Sequence, residues 1–350
     1  MFYGQIKPMG GGGKIPLMAL IVPCYNEENL IIESLKTLQN KLFELKNSKL
    51  IAPESYIICV DDGSADKSFL LLQDYAKNTP YCTIIKLTKN YGHQKALLAG
   101  LKYANKRCDC CITIDCDLQQ DIEKIPEFID KYNQGSEIVI GIRNDRKSDG
   151  IFKKFSALSF YHIMKIFGTP IIPNHADYRL LGSKALKKLI KFKESNIFLR
   201  GLILELGFKT DYLYFDVKPR TLGISKYSLS KMLSLAIDGV TSFSTRPLHL
   251  ISIIGILIFI ISFLLGIYSL YIALFTNQII PGWASIALPL YFLGGVQLLA
   301  MGVIGEYIGK IYSETKHRPL YLIESVIQNK KNLENSNPIH KKSSIATPKE

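Results

Sequence analysis

Short runs of β-branched and apolar residues alternate with longer stretches of helical periodicity from Leu17 onward. Leu17–Val22, Tyr56–Val60, Thr83–Leu87, a central run beginning at Cys110 and Glu137–Ile142 read as strands, the first stopped by Pro23. Between them, helices are expected from Asn26, as a cap with Glu27 and Glu28 in the first turn, to about Phe43. Further helices are expected near Ser68–Lys77, over Gln94–Asn105 and near Ile122–Asn133. Strictly alternating strands and helices predict an α/β fold, a mostly parallel sheet with helices on both faces.

The pattern changes beyond residue 150. Phe152, Phe155, Ile163 and Ile166 recur at helical spacing within Ile151–Phe167, flanked by Lys153, Lys154 and Lys165. A second amphipathic segment, within residues 228–246, carries Leu229, Met232, Leu233, Ala236, Val240 and Phe243 on one face. Ile251–Phe275 and Trp283–Gly305 then run without a charged residue. Each is long enough to cross roughly 30 Å of hydrocarbon at about 1.5 Å per residue, and a short uncharged loop joins them into a hairpin. Arg246 on one flank and Lys310, Lys316 and Arg318 on the other predict both termini on the cytoplasmic side of a cell membrane.

These boundaries divide the chain into a leader (1–16), a cytoplasmic catalytic domain (17–227), a juxtamembrane helix (228–246), a transmembrane hairpin (247–310) and a basic cytoplasmic tail (311–350). Lys, Asn and Ser dominate from Asn329 onward, a composition that cannot bury a core. Gly305 and Gly309 stand at the spacing of close-packed membrane helices.

Charge narrows the partners. A net charge of +13 fits phosphate-bearing substrates, anionic membranes or nucleic acid. With one Trp and no basic helix interleaved with aromatics, nucleic acid is excluded as a partner. The seven cysteines lie in or beside strands and no apolar leader precedes them, so they read as reduced, structural thiols. Cys108, Cys110 and Cys111 lack the paired spacing of a zinc site.

The chemistry is expected where the central strand ends, in Asp115-Cys116-Asp117-Leu118-Gln119. Residues two apart on a strand share a face, so Asp115 and Asp117 are expected to converge at a C-terminal strand end, where open α/β sheets bind ligands. Two hard oxygen donors, with the Gln119 carbonyl nearby, suit Mg²⁺ or Mn²⁺ that also holds substrate phosphates. The loops after the other strands carry Asn26-Glu27, Asp61-Asp62, Lys89-Asn90 and Arg143. Asp62 is expected to meet a nucleotide or to cap a helix, and His93 to contact the same ligand or to cap the helix it begins.

Three segments together, Val22-Pro23-Cys24-Tyr25-Asn26-Glu27-Glu28, Val60-Asp61-Asp62-Gly63-Ser64-Ala65-Asp66 and Asp115-Cys116-Asp117-Leu118-Gln119, resemble the family 2 nucleotide-sugar glycosyltransferases of GT-A (Rossmann-like) fold. More narrowly, the chain from about Ala19 to Tyr312 resembles the polyprenyl-phosphate glycosyltransferases, such as bactoprenol glucosyltransferases and dolichol-phosphate mannose synthase. The resemblance implies that Asp117 and Gln119 ligate the metal while Asp115 and Cys116 touch the nucleotide. It implies that Pro23, Tyr25, Glu27, Val60 and Asp62 frame the base and ribose. Arg143, Arg179, Arg200, Arg220 and Lys226 sit in contexts similar to the family's and are expected to bind the acceptor phosphate or the donor diphosphate. Asp177 is the remaining carboxylate on that side, as an orienter of Arg179 or a weak base.

The implied reaction is inverting, metal-dependent transfer of a hexose to polyprenyl (undecaprenyl) phosphate at the cytoplasmic face of the inner membrane. An anionic phosphate acceptor needs no strong base, so Asp115, Asp117, Asp177, Arg220 and Lys226 would act by position and charge. The donor expected is UDP-glucose, with GDP-mannose, UDP-GlcNAc and a modified arabinose donor as alternatives. The resemblance also implies a homo-oligomer, such as a tetramer. A processive polysaccharide synthase is excluded by the absence of Gln-x-x-Arg-Trp, since the only Trp is Trp283 in the hairpin. A catalytically inactive membrane scaffold is disfavoured by the intact acidic and basic motifs.

Overall fold

Strands with every residue buried can only stack inside a sheet covered twice, and that is how the chain folds. The computed structural model describes residues 15–144, 172–194, 197–217, 241, 244–275 and 283–328. β1 (Met18–Cys24), β2 (Tyr56–Asp61), β3 (Cys82–Leu87), β4 (Cys110–Thr113), β5 (Ile138–Arg143), β6 (His175–Gly182), β7 (Thr210–Phe215) and β8 (Ile323–Gln328) form one sheet in the order β7-β5-β6-β4-β1-β2-β3-β8. β6 and β8 run against the rest.

Side-chain alternation sorts the two cores. Leu20 and Val22 of β1 pack with Leu35, Leu38 and Leu42 of α1 (Ile31–Asn47), Leu72 of α2 (Ser68–Asn78) and Phe128 of α4 (Ile125–Asn133). Ala19 and Ile21 pack on the opposite face with α3 (His93–Ala104), α5 (Ser183–Leu189) and α6 (Leu199–Glu205). The sheet with helices on both faces is the predicted architecture.

Several local expectations are corrected. Pro23 does not stop β1: it pairs with Val60, within a register that runs from Ala19 opposite Tyr56 to Cys24 opposite Asp61. Asn26 does not cap α1, which begins at Ile31. Asn26 adopts a left-handed backbone (φ 52°) and ties two loops together instead: its N–H donates to Ser64 Oγ at 3.0 Å and its Oδ1 accepts from Ala65 N at 2.8 Å.

The segment read as a basic tail contains β8, which zips antiparallel onto β3 with Val326 opposite Ile85. Lys86–Glu324 (2.9 Å) and Thr88 N–Leu322 O (3.1 Å) extend that seam. The pattern missed it because six residues at an edge, half-exposed, carry little periodicity.

The two charge-free stretches fall in α7 (Arg246–Phe275) and α8 (Trp283–Thr315), each longer than predicted. Both are long and apolar enough to cross a membrane, and their most apolar windows are not buried by the rest of the chain. Tyr307 of α8 donates to the Ser244 carbonyl just before α7, at 2.5 Å. The amphipathic segment 151–167, the expected 228–246 helix apart from Thr241 and Ser244 to Arg246, the leader to residue 14 and the chain after Gln328 lie outside the described residues.

Candidate active site

β1, β2, β4 and β5 end on one side of the sheet, and β6, running the other way, begins there. Thr113 faces Arg179 across the β4–β6 ladder, so the start of β6 brings Asp177 beside the segment leaving β4. Thr113 Oγ1 donates to the Asp177 carbonyl at 2.6 Å and fixes that register. Sequence periodicity did not place β6, yet it supplies the acidic centre of the site.

Asp115 and Asp117 are brought together by a turn rather than by strand alternation, because β4 ends at Thr113. Leu118 N donates to the Asp115 carbonyl at 3.3 Å, and Leu118 takes a left-handed φ of 49°. For a branched side chain that conformation is strained, and it turns Asp117 and Gln119 back toward the strand end. Gln119 N donates to Asp117 Oδ1 at 3.2 Å. Gln120, buried and not singled out by its sequence, grips Asp115 twice: Nε2 donates to Oδ2 at 2.5 Å, and Oε1 accepts from Asp115 N at 3.1 Å. Asp115 Oδ1 is buried with no hydrogen-bond partner among the described residues. Burial pushes its carboxyl up and Asp177 and Asp117 add to the rise, while His93 opposes it.

This donor set fits a hard divalent cation. The orphaned Asp115 oxygen, the Asp117 carboxylate and the Gln119 carbonyl would all offer oxygen donors from one turn. No three His, Cys, Asp or Glu side chains among the described residues form a complete cage. Such a cation would therefore complete its shell with substrate phosphates and water, the usual arrangement for Mg²⁺.

Asp177 is held quite differently. Residues 175, 177 and 179 alternate onto the α3–α6 face of the sheet. Arg179 donates to Asp177 Oδ1 through a very short contact. Arg200, from α6, reaches Oδ1 with Nε (3.3 Å) and Oδ2 with Nη2 (2.8 Å), a bidentate fork. Burial pushes the Asp177 carboxyl up, but the Arg200 and Arg179 guanidiniums outweigh it and hold the group well below the usual carboxylate range. Asp177 is thus a poor base, and of its two expected roles orientation of Arg179 is the one this geometry serves. Arg179 is only 1% exposed, and its Nε and Nη1 have no hydrogen-bond partner among the described residues. Arg200 keeps 25% of its side chain exposed. Arg143 ends β5 with its Nε buried and unpartnered among the described residues. Burial, with Arg179 and Arg200 nearby, keeps His175 well below the usual imidazole range and hence neutral.

His93 stands between the two carboxylates, with Nε2 at 3.5 Å from Asp115 Oδ1 and 3.7 Å from Asp177 Oδ2. It opens α3, but no side chain caps that helix. The cap reading of His93 is therefore corrected.

Of the residues expected to frame a nucleotide, Pro23 and Val60 are buried neighbours in the ladder, Cys116 is buried, and Tyr25 is exposed. Glu27 N donates to Ser68 Oγ at 2.8 Å, which links this loop to the start of α2. Asp62 neither caps a helix nor points a free carboxylate outward. Its two oxygens accept from Tyr91 N (2.8 Å) and Gly92 N (2.9 Å), clamping the loop that delivers His93. Burial raises its carboxyl and those two amides partly offset the rise. All seven cysteines are free and buried. Arg220 and Lys226 lie outside the described residues.

Comparison with known proteins agrees with this arrangement. The Glycosyl transferase family 2 profile matches residues 19–190. An uncharacterized glycosyltransferase, YkoT of Bacillus subtilis, is 44% identical over 90% of this chain and 93% of its own length. A second from the same organism, YkcC, is 39% identical over 89% and 95%. The bactoprenol glucosyl transferase of Shigella phage SfV is 38% identical over 88% of this chain and 98% of its own length. With relatives this similar matched along nearly their whole length, the chain belongs to glycosyl transferase family 2.

Proposed function

We propose that this enzyme transfers a hexose from a nucleotide-diphosphate donor to polyprenyl phosphate at the cytoplasmic face of a membrane. The observation that carries the reading is the union, in one chain, of a carboxylate-rich strand-end site with two long apolar helices tied to the same sheet. Relatives named bactoprenol glucosyl transferase support the lipid acceptor and glucose as the sugar, and this reading takes UDP-glucose as its donor. GDP-mannose, UDP-GlcNAc and a modified arabinose donor are the alternatives.

In this reading Tyr25 stacks on the base at the mouth of the site, with Pro23, Glu27, Val60, Asp62 and Cys116 around it. Asp115, Asp117 and Gln119 face the diphosphate. A divalent cation bound there would neutralise the charge left on the departing nucleotide. The acceptor phosphate is already anionic at neutral pH, and Asp177, committed to two guanidiniums, abstracts no proton from it. Arg200 and Arg143, with Arg220 and Lys226 from the motif before the juxtamembrane segment, supply charge for the phosphates. Direct displacement inverts the anomeric centre and gives a β-linked product from an α-linked donor.

Topology supports the same picture. Ser244 precedes α7, and residues 316–322 lead from α8 into β8. If α7 and α8 cross a bilayer as a hairpin, both ends lie on the side of the sheet, and Arg246, Lys310, Lys316 and Arg318 mark that side as cytoplasmic. A second copy packing along Gly305 and Gly309 would thicken so thin an anchor: a Cβ at either glycine would meet nothing within 4 Å.

Membranes carrying the chain, incubated with radiolabelled UDP-glucose, undecaprenyl phosphate and Mg²⁺, test the reading. Metal-dependent label in the organic phase that disappears with Asp117→Asn is the expected result. Label from a different donor would correct the sugar, and absence of transfer from every donor would overturn the function.

A further inference from the structure

Three carboxylates, Asp115, Asp117 and Asp177, crowd one strand end, and they are not equally compensated. Asp177 is matched by Arg179 and Arg200. Asp115 has the neutral amide of Gln120 on Oδ2 and, among the described residues, no hydrogen bond on Oδ1. The group set between the bare Asp115 oxygen and Asp177 is the His93 imidazole, at 3.5 and 3.7 Å. Both atoms facing Nε2 are carboxyl oxygens, so a hydrogen carried on Nε2 is the one they could accept. These distances exceed those of a formed hydrogen bond and match a contact that tightens when substrate arrives.

The backbone is built to deliver this ring. Gly92 enters α3 at φ 94°, open to glycine and hostile to other residues, and both its amide and that of Tyr91 are clamped by Asp62. Gly63, at φ 67°, lies so close to the same loop that a Cβ there would come within 2.3 Å of the Lys89 carbonyl carbon. Leu199 N donates to Gln94 Oε1 at 2.8 Å, so the residue after His93 also braces the helix bearing Arg200. The loop after β2 and the start of α6 thus brace the backbone around His93, whose side chain remains 44% exposed.

We propose that His93 is a positioning residue that couples the donor-side carboxylate Asp115 to the acceptor-side carboxylate Asp177. Resting on the glycosyl-transfer reading, it assigns His93 the task of holding the free Asp115 oxygen where the metal and nucleotide diphosphate meet it. Donor binding and the Arg200 side of the site then form one connected unit. The requirement is for a donated N–H at that point, which a glutamine side chain also provides.

The test is calorimetric binding of nucleoside diphosphate with Mn²⁺ to the full chain in detergent, using whichever of UDP, GDP and CDP the wild type binds most tightly. His93→Ala is expected to weaken Mn²⁺-dependent binding by about 10- to 100-fold, as loss of an outer-shell partner does, and His93→Gln to recover most of it. Because His93 acts through Asp115, the double variant with Asp115→Asn should bind no more weakly than Asp115→Asn alone. Unchanged affinity in His93→Ala, no recovery with Gln, or losses that simply add would overturn the role of His93 while leaving the glycosyltransferase reading intact. A wild type that binds no diphosphate nucleotide would sink that reading and the inference with it. Thermal unfolding of His93→Ala separates a local effect from misfolding, and an exposed position predicts an unchanged midpoint.

Discussion

Gln120 holds Asp115 by both its backbone and its side chain, with the amide accepting from Asp115 N at 3.1 Å and donating to Oδ2 at 2.5 Å. That grip occupies Oδ2 and leaves Oδ1 without a hydrogen-bond partner among the described residues. Gln120→Leu preserves bulk but removes both bonds. Displacement of a reacting group by about 1 Å can cost about 100-fold in rate, so kcat for sugar transfer should fall by about 10- to 100-fold. Steady-state kinetics of the variant in membranes checks this, and retention of wild-type kcat would show that Asp115 is held by other means.

The Asp177–Arg179–Arg200 cluster should set the acid limit of stability. Asp177 has its folded-state carboxyl depressed. Its contribution is therefore complete above the ordinary carboxylate range and is lost as pH falls through the depressed folded value. Asp177→Asn leaves Arg179 as a buried charge without its anion, and removing one partner of a buried pair costs about 3–5 kcal/mol. Denaturant unfolding at neutral pH should show that loss, and the variant's stability should fall less steeply than the wild type's toward acid. Parallel acid branches would mean that other groups dominate there.

Gly63 links the stability of a turn to the donor side of the site. A Cβ there meets the Lys89 and Asn90 backbone, and the left-handed conformation alone costs a non-glycine residue about 1–2 kcal/mol. Gly63→Ala should lower the thermal midpoint and also raise the KM for donor, because the displaced loop carries Tyr91, Gly92 and His93. A fall in stability without a change in KM would separate this turn from the nucleotide site.

These residues mark what could be read from the sequence. The alternating strands and helices through β5 were legible because fully buried parallel strands announce themselves as unbroken apolar runs. Asp115, Asp117 and Gln119 were located correctly at the end of β4 for a partly wrong reason: the strand stops at Thr113 and a strained turn does the gathering. Asp177 was noticed, with Arg179 as the group it could orient, but its approach to His93 and Asp115 was not, since β6 runs antiparallel and its ladder with β4 is a long-range relation that no local period encodes. Gln120 was invisible because a glutamine beside an acidic motif looks like any polar loop residue. The helical start at His93 was found, but the ring's position between two distant carboxylates depends on where β6 lands.

The last prediction concerns β8. It leaves α8 through residues 316–322 and pairs with β3, while Leu322 accepts from Thr88 and the Thr88 hydroxyl meets the Tyr91 hydroxyl at 2.9 Å. Tyr91 in turn is clamped by Asp62, so the segment following the apolar hairpin braces the loop that carries His93. Gln328 reinforces the seam by donating to Thr83 Oγ1 at 3.1 Å and to the Tyr103 hydroxyl of α3. Val326→Pro places a residue without an N–H, and with a fixed φ, in the centre of this ladder. Hydrogen exchange should then accelerate along β3 and at residues 88–92, with β1 and β4 unaffected, and sugar transfer should decline while α7 and α8 keep the protein in the membrane fraction. If exchange rises in β3 alone and activity is retained, β8 merely covers an edge. If the loop and activity change together, the strand that follows α8 is a working part of the catalytic site.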